Sequence, residues 1–268
     1  MTHIIFTADD FGLCTEVNDA VEHTFLQGAL SAASLMVGAP AAADAVARAK
    51  RLPGLRVGLH ITLVDGHPFL PPEDVSALVD DTGAFETNLA RAGVRWFFSP
   101  TARRQLRKEI RAQFEAFKAT GLLLDHVNAH NHMHIHPTVF QMILEIGADY
   151  GLKAVRVPFE HPNGLLTPFL NLMKRKLKAH GLRYNDQVVG LHDSGHVTEP
   201  VVMAALNALP DGVTEFYFHP AQPVTAALEA MAPGYDRAGE VNALLSVQVR
   251  TQIATLGLKT IGFSDLSW

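Results

Sequence analysis

The run Asp125-His126-Val127-Asn128-Ala129-His130-Asn131-His132-Met133-His134-Ile135-His136-Pro137 concentrates imidazoles in a chain that carries 14 histidines in all. Imidazole is the commonest protein ligand for transition metals. His130, His132, His134 and His136 recur every second residue, so in extended backbone their rings would share one face. Four rings on a regular strand cannot all reach one ion. One or two would ligate, and the others would hold substrate or support neighbours. A second group is Asp9-Asp10, directly after the apolar run His3–Ala8. Where a strand gives way to a loop, adjacent carboxylates diverge, so one can bind a cation while the other faces a water as general base. The plainer alternative is an acidic helix N-terminus. His60 in Gly58-Leu59-His60 and His219 in Phe218-His219-Pro220 are single imidazoles at the ends of apolar runs. One aspartate with two histidines makes a mixed oxygen and nitrogen site with open positions, the composition of a hydrolytic centre rather than a closed structural one. Two imidazoles favour one divalent ion of the Zn2+ kind; a carboxylate and waters leave Mg2+ as the alternative.

Apolar runs of strand character alternate with segments of helical period along the whole chain. Strands are expected at His3–Ala8, Ala33–Val37, Leu55–Leu59, Leu122–Ala129, Ala154–Val157, Gln187–Leu191, Val213–Phe218 and Lys259–Gly262. Such alternation builds parallel βαβ units, and about seven to eight of them suggest a single-domain, distorted (β/α) TIM-like barrel over residues 1–268. A doubly wound open sheet is the other architecture. The stretch from Thr62 to Pro100 looks irregular, and about 64–100 is expected to be a lid-like insertion. In such barrels chemistry sits at the C-terminal ends of strands. Asp9, Asp10, His60, the His126–His136 run, Arg156, His192-Asp193, His219 and Ser264-Asp265 all fall at expected strand ends.

Ala8-Asp9-Asp10-Phe11-Gly12, Gly58-Leu59-His60-Ile61-Thr62-Leu63, the His126–His134 stretch and Arg156-Val157-Pro158 together resemble the YdjC-like carbohydrate deacetylases. Ser34-Leu35-Met36-Val37 and the pair Glu109 and Gln113 are similar to that family as well. More narrowly, the chain resembles the branch associated with hopanoid lipid biosynthesis. The resemblance spans essentially the whole sequence. It implies a distorted barrel and metal-dependent removal of an N-acetyl group from an amino sugar. Matched motif by motif, it implies Asp10, His60 and His130 as metal ligands, Asp9 as general base and His219 as general acid. His132, His134 and Arg156 would hold sugar hydroxyls or the reacting group. One position departs from the family pattern: the family commonly has Asp two residues before its ligand histidine, where this chain has Asn128.

From His161 to Asn185 the chain has no acidic residue but has Lys174, Arg175, Lys176, Lys178 and Arg183, preceded by large apolar residues from Leu165. A basic amphipathic segment of this kind can lie on an anionic membrane surface, giving an expected peripheral contact over 165–183. Trp96-Phe97-Phe98 could add aromatic anchoring or wall an apolar ligand. An ordinary outer barrel helix is the alternative. The expected substrate is an N-acetylglucosamine-type sugar on a hopanoid glycolipid. Soluble chito-oligosaccharides, or a catalytically silent sugar- or metal-binding barrel, are the competing readings.

Composition narrows the field. The chain has 268 residues, 48% of them apolar, and a net charge of −5, which argues against bulk nucleic-acid binding. A single cysteine, Cys14, excludes an internal disulfide framework. The N-terminus lacks the pattern of a secretory signal, and no run of about 18 apolar residues occurs. The expected location is the cytoplasm, with access to the inner face of the membrane.

Overall fold

The computed structural model describes residues 2–161 and 164–266. Six parallel strands form one curled sheet: β1 (Thr2–Phe11), β2 (Ala32–Leu35), β3 (Arg56–Ile61), β4 (Val127–Ala129), β5 (Gln187–Val189) and β6 (Gly212–Phe218). Their order is β4-β3-β2-β1-β6-β5, which puts the two longest strands, β1 and β6, side by side, each with a neighbour on both edges. The helices that cover it include α1 (Thr15–Gln27), α2 (Ala42–Arg51), α3 (Leu89–Phe98), α4 (Pro100–Ala119), α5 (Pro137–Asp149) and α6 (Thr167–Ala179). After β5 come α7 (Glu199–Asn207), α8 (Ala226–Met231), α9 (Arg237–Leu245) and α10 (Val247–Thr255).

Two expected strands do not form ladders, so six strands replace the seven to eight anticipated. The segment at 154–157 makes single bridges, Val127 with Val155 and Ala154 with Arg183. The amide of Val157 goes to the Asn185 side chain at 2.8 Å rather than to a backbone carbonyl, and the next residue, Pro158, has no amide to donate. Both effects interrupt pairing. The segment at 259–262 makes one bridge, Thr260 with Ile4. β2 begins to pair with β1 only at Thr7, so just a short stretch of the β1 edge is open to it.

Alternation along β1 sorts side chains to two sides. Ile4, Phe6 and Ala8 join the large outer core beneath the helices, whereas Ile5 joins Ala32, Ala154, Val213, Phe263 and Leu266 in an apolar plug inside the curl. Above the plug the interior turns polar. The Thr7 hydroxyl donates to Glu215 at 2.7 Å, and Asp9 lies one step further along the strand.

The stretch expected to be irregular contains a 3-10 turn, Pro72–Val75, and the helix α3, which carries Trp96, Phe97 and Phe98. It is tethered by two buried residues of α4. Glu109 accepts from the amides of Phe69 and Leu70 at 2.7 and 3.0 Å, and Gln113 bonds both the amide and the carbonyl of Thr62. Leu170, Met173 and Leu177 of α6 point into the core, as in an outer barrel helix. Lys174 is not a free surface cation: it donates to the Asp186 carbonyl and lies 4.4 Å from the centre of the Phe159 ring.

Candidate active site

A cavity of about 420 Å³ opens at the C-terminal ends of the strands, with Asp9, Asp10, His60, His130, His132 and His219 among its walls. The local backbone there is unusual. Four non-glycine residues among those described have positive φ, Asp10 (62°), Asp65 (54°), Asn131 (51°) and His132 (53°), and all four line this cavity. Left-handed backbone costs energy outside glycine and gathers where geometry is imposed for function. At the end of β1 the pairing register with β2 shifts between Ala8 and Phe11. This bulge, with Asp10 left-handed, re-aims Asp10 so that it and its neighbour Asp9 serve the same cavity.

Asp10, His60 and His130 come together. His60 Nε2 lies 3.4 Å and His130 Nδ1 3.2 Å from Asp10 Oδ1, and one ligand atom from each residue lies within 4.8 Å of the others. Ligands about 2.0–2.1 Å from a tetrahedral Zn2+ stand about 3.3 Å apart, so the donor set and its spacing fit a divalent ion. Burial works against ionisation of Asp10, but the two imidazoles outweigh it and hold the carboxyl well below its usual range. Burial lowers the His130 pKa and Asp10 raises it, with a net rise. A proton on His130 and a cation would therefore compete for one place.

Asp9 sits beside this triad, clamped from behind. Arg156 donates to both of its oxygens, at 2.5 and 3.0 Å, and to both oxygens of Glu215, at 2.9 and 2.7 Å. Burial raises the Asp9 pKa, yet Arg156 and His60 reverse that and keep the carboxyl ionised below its ordinary range. Arg156 is itself fully buried and its guanidinium is spent on Asp9 and Glu215, so it stands behind the wall of the cavity. His134 is also fully buried. It accepts the Ala129 amide at Nδ1 and pairs through Nε2 with the Arg156 carbonyl, both at 3.1 Å. The geometry thus gives Arg156 and His134 supporting contacts rather than a surface for sugar hydroxyls.

His132 does line the cavity; its Nε2 pairs with the Tyr217 hydroxyl at 3.1 Å, while Nδ1 is buried without a partner. His219 also lines the cavity, between the rings of Tyr217 and Tyr235, and its Nδ1 is likewise buried and unpartnered. Burial, opposed by Asp10 and Asp9, lowers the His219 pKa to about 4. The backbone of His219 is fixed at both ends: its amide donates to Glu240 and its carbonyl accepts from Arg237 at 3.1 Å. Two other expectations go elsewhere. His192 is exposed and faces Glu160, and Asp265 pairs with Arg56 at the start of β3, the end of the sheet away from the cavity.

The every-second-residue histidine pattern is not an extended strand. Residues His130–Ile135 form a 3-10 turn with left-handed Asn131 and His132, so successive rings point to different partners. Glu215, Tyr217 and Arg237 are functional neighbours that the sequence pattern did not single out. Glu215 carried a usable signal, because a charged residue inside the apolar run Val213–Phe218 must have a buried partner.

Beside the polar cavity, and sharing Asn131 and His132 with it, lies an apolar groove of about 710 Å³. Phe97, Phe98, Val94 and Leu89 of α3 and Leu166 and Phe169 near the start of α6 contribute to it, and Phe98 is 73% exposed.

The sequence matches the family described as YdjC-like protein over residues 3–255. It is 33% identical to a carbohydrate deacetylase of Vibrio vulnificus strain CMCP6, over 98% of this chain and 96% of that protein. It is 30% identical to a mouse carbohydrate deacetylase, over 98% of this chain and 94% of that one. In fold it resembles a crystal structure from Enterococcus faecalis V583, provisionally described as a cellobiose-phosphate cleavage protein. That match has a TM-score of 0.82 at 23% identity and covers 100% of this chain and 99% of the other. The chain therefore belongs to the YdjC-like protein family.

Proposed function

We propose that this protein is a metal-dependent carbohydrate deacetylase that hydrolyses the acetamide of an N-acetylglucosamine-type sugar carried on a hopanoid-like glycolipid. The observation that carries the reading is the juxtaposition of the Asp10, His60 and His130 donor set with a separately clamped carboxylate, Asp9, in one cavity. Relatives aligned over nearly the whole chain are named carbohydrate deacetylases, which supports the same reaction class. The three donors would hold one divalent ion, Zn2+ by their chemistry, with Mg2+ the alternative. When bound, such an ion supplies Lewis acidity to the acetyl carbonyl and acidifies water.

The chain's own groups account for the protons. Asp9 is ionised and accepts a proton from the attacking water. A carboxyl held below its usual range keeps a proton poorly, so the proton moves on. His219, neutral at rest with a pKa near 4 and lining the same cavity, takes part as the relay that protonates the departing amine. Water adds to the carbonyl carbon, the carbon–nitrogen bond breaks, and acetate and the free amine leave. His132, whose Nε2 pairs with Tyr217, would contact the sugar from the cavity wall.

The apolar groove next to His132 supports a lipid-borne substrate, since the sugar could occupy the polar cavity while the apolar part lies against Phe97 and Phe98. Exposed Arg175, Lys176 and Lys178 on α6, whose first turn borders the groove, fit contact with the anionic inner face of a membrane from the cytoplasm. No helix among the described residues is long and apolar enough to cross a membrane.

Acetate release from an N-acetylglucosaminyl hopanoid, measured beside a chitin disaccharide, tests the reading. Release from the glycolipid, well above that from the disaccharide, is the expected result. Release from the disaccharide alone would overturn the lipid assignment, and silence on both with metal-replete protein would overturn the enzyme assignment in favour of a binding role.

A further inference from the structure

The structure assigns to Asn128 the task of orienting both the metal ligand His60 and the base Asp9, and to a buried chain of Ser34, His126 and Asp125 the task of holding Asn128 in register. This inference rests on the reading of His60 as a ligand. The hydrogen bonds fix its direction without ambiguity. Asn128 Nδ2 lies 3.2 Å from Asp9 Oδ1, an ionised oxygen that can only accept, so the amide must present its nitrogen there. Its Oδ1 then faces His60 Nδ1 at 2.7 Å and can only accept, so His60 donates from Nδ1 and turns its other nitrogen, Nε2, toward Asp10. A bare Nε2 is the form that binds a cation.

The second hydrogen on Asn128 Nδ2 goes to Ser34 Oγ at 2.9 Å. Ser34 Oγ pairs in turn with His126 Nε2, 3.0 Å away, and His126 pairs through Nδ1 with Asp125 at 2.8 Å. Asp125 ends the chain by accepting the amides of Phe263 and Ser264 at 3.1 and 2.8 Å. Aspartate, histidine and serine in this sequence resemble a nucleophilic triad, but Ser34 and His126 are fully buried and neither lines the cavity. The arrangement has no substrate access and serves position instead. It is built in by a second device. A Cβ on Gly58 would lie 2.5 Å from the His126 ring, so the ring occupies the hollow that this glycine leaves in β3. A histidine–carboxylate pair anchored on the 3-10 turn Phe263–Asp265 is thus connected, through two further side chains, to the metal ligand on β3 and the base on β1.

The chain accounts for the departure at position 128. An aspartate would still accept from His60 but could donate to neither Asp9 nor Ser34; asparagine does all three.

The test measures Zn2+ affinity by competition with a chelating dye, and the His60 tautomer in the metal-free protein by nitrogen-15 NMR of the imidazoles, in wild type, Asn128→Leu, Asn128→Asp and Ser34→Ala. Wild type is expected to show His60 protonated on Nδ1. Asn128→Leu should weaken Zn2+ binding about 10- to 100-fold and mix the His60 tautomers. Asn128→Asp, which keeps the acceptor for His60, should keep the tautomer, and Ser34→Ala should weaken affinity several-fold. Wild-type affinity in Asn128→Leu, or His60 protonated on Nε2 in wild type, would overturn the inference. If Asn128→Leu does not fold, the wild-type and Asn128→Asp tautomers and the Ser34→Ala affinity still decide it. Failure of wild type to bind Zn2+ at all would refute the metal centre itself, and the tautomer measurement would then decide the role of Asn128 separately.

Discussion

Replacing Arg156 by methionine removes the one cation that two buried carboxylates share. Arg156 makes four hydrogen bonds, two to Asp9 and two to Glu215, with no exposure to solvent. Charge-assisted bonds contribute about 1.5–3 kcal/mol each, a gross sum that the burial of three charges largely offsets. The cost of the substitution comes mainly from what it leaves behind, two desolvated carboxylates that keep hydrogen bonds from the side chains of Thr7 and Asn128. Stripping one partner from a buried ion network costs about 3–5 kcal/mol, a large share of the roughly 5–15 kcal/mol that holds a domain folded. Urea denaturation followed by circular dichroism should show Arg156→Met losing that amount. Adding Glu215→Gln should recover at least about 1 kcal/mol, because it removes one stranded charge while keeping an acceptor for Thr7. A loss under about 1 kcal/mol in the single variant, or strict additivity in the double, would refute the claim that Arg156 exists to neutralise this pair.

Two further perturbations follow from the geometry. Burial raises the Glu240 pKa from 4.5 to about 7, so folding favours its protonated form; the stability this contributes is present below about pH 4.5 and is lost as the pH rises through 7. Thermal melts from pH 5 to 8 should show a decline of roughly 3 kcal/mol in wild type that is absent in Glu240→Gln; parallel curves for the two proteins would contradict it. Serine at Phe97 and Phe98 should lower kcat/KM on the glycolipid at least tenfold while leaving the chitin disaccharide unchanged. An equal loss on both substrates would mean that the groove acts through fold stability rather than lipid contact.

The chemistry was easier to read from sequence than the architecture. Carboxylates and imidazoles at strand ends point to a metal-type site, the family resemblance implies Asp10, His60 and His130 as its donors, and the structure brings their ligand atoms together. Local pattern cannot distinguish a cavity wall from the layer behind it. Arg156 and His134 follow the same apolar runs as true cavity residues, and only the three-dimensional positions of Asp9, Glu215 and the Arg156 carbonyl show where their donors are spent. The histidine spacing misled for a related reason: period two implies one shared face only if the backbone is extended, and the left-handed turn at Asn131 and His132 is dictated by tertiary contacts. The strands expected at 154–157 and 259–262 have strand composition, but pairing depends on an open edge, which neighbours withhold. Asn128, by contrast, stood out as a departure from the family pattern, while its three-way role needed the positions of Asp9, Ser34 and His60.

The most direct test of the metal assignment is a titration of metal-stripped protein with Zn2+ while acetate release from the glycolipid is followed. Activity should rise linearly and break at one ion per chain, and His130→Ala should show neither the break nor the activity. Acetate released at full rate by the stripped protein, or a His130→Ala variant that titrates like wild type, would contradict the assignment of Asp10, His60 and His130 as the centre of the reaction.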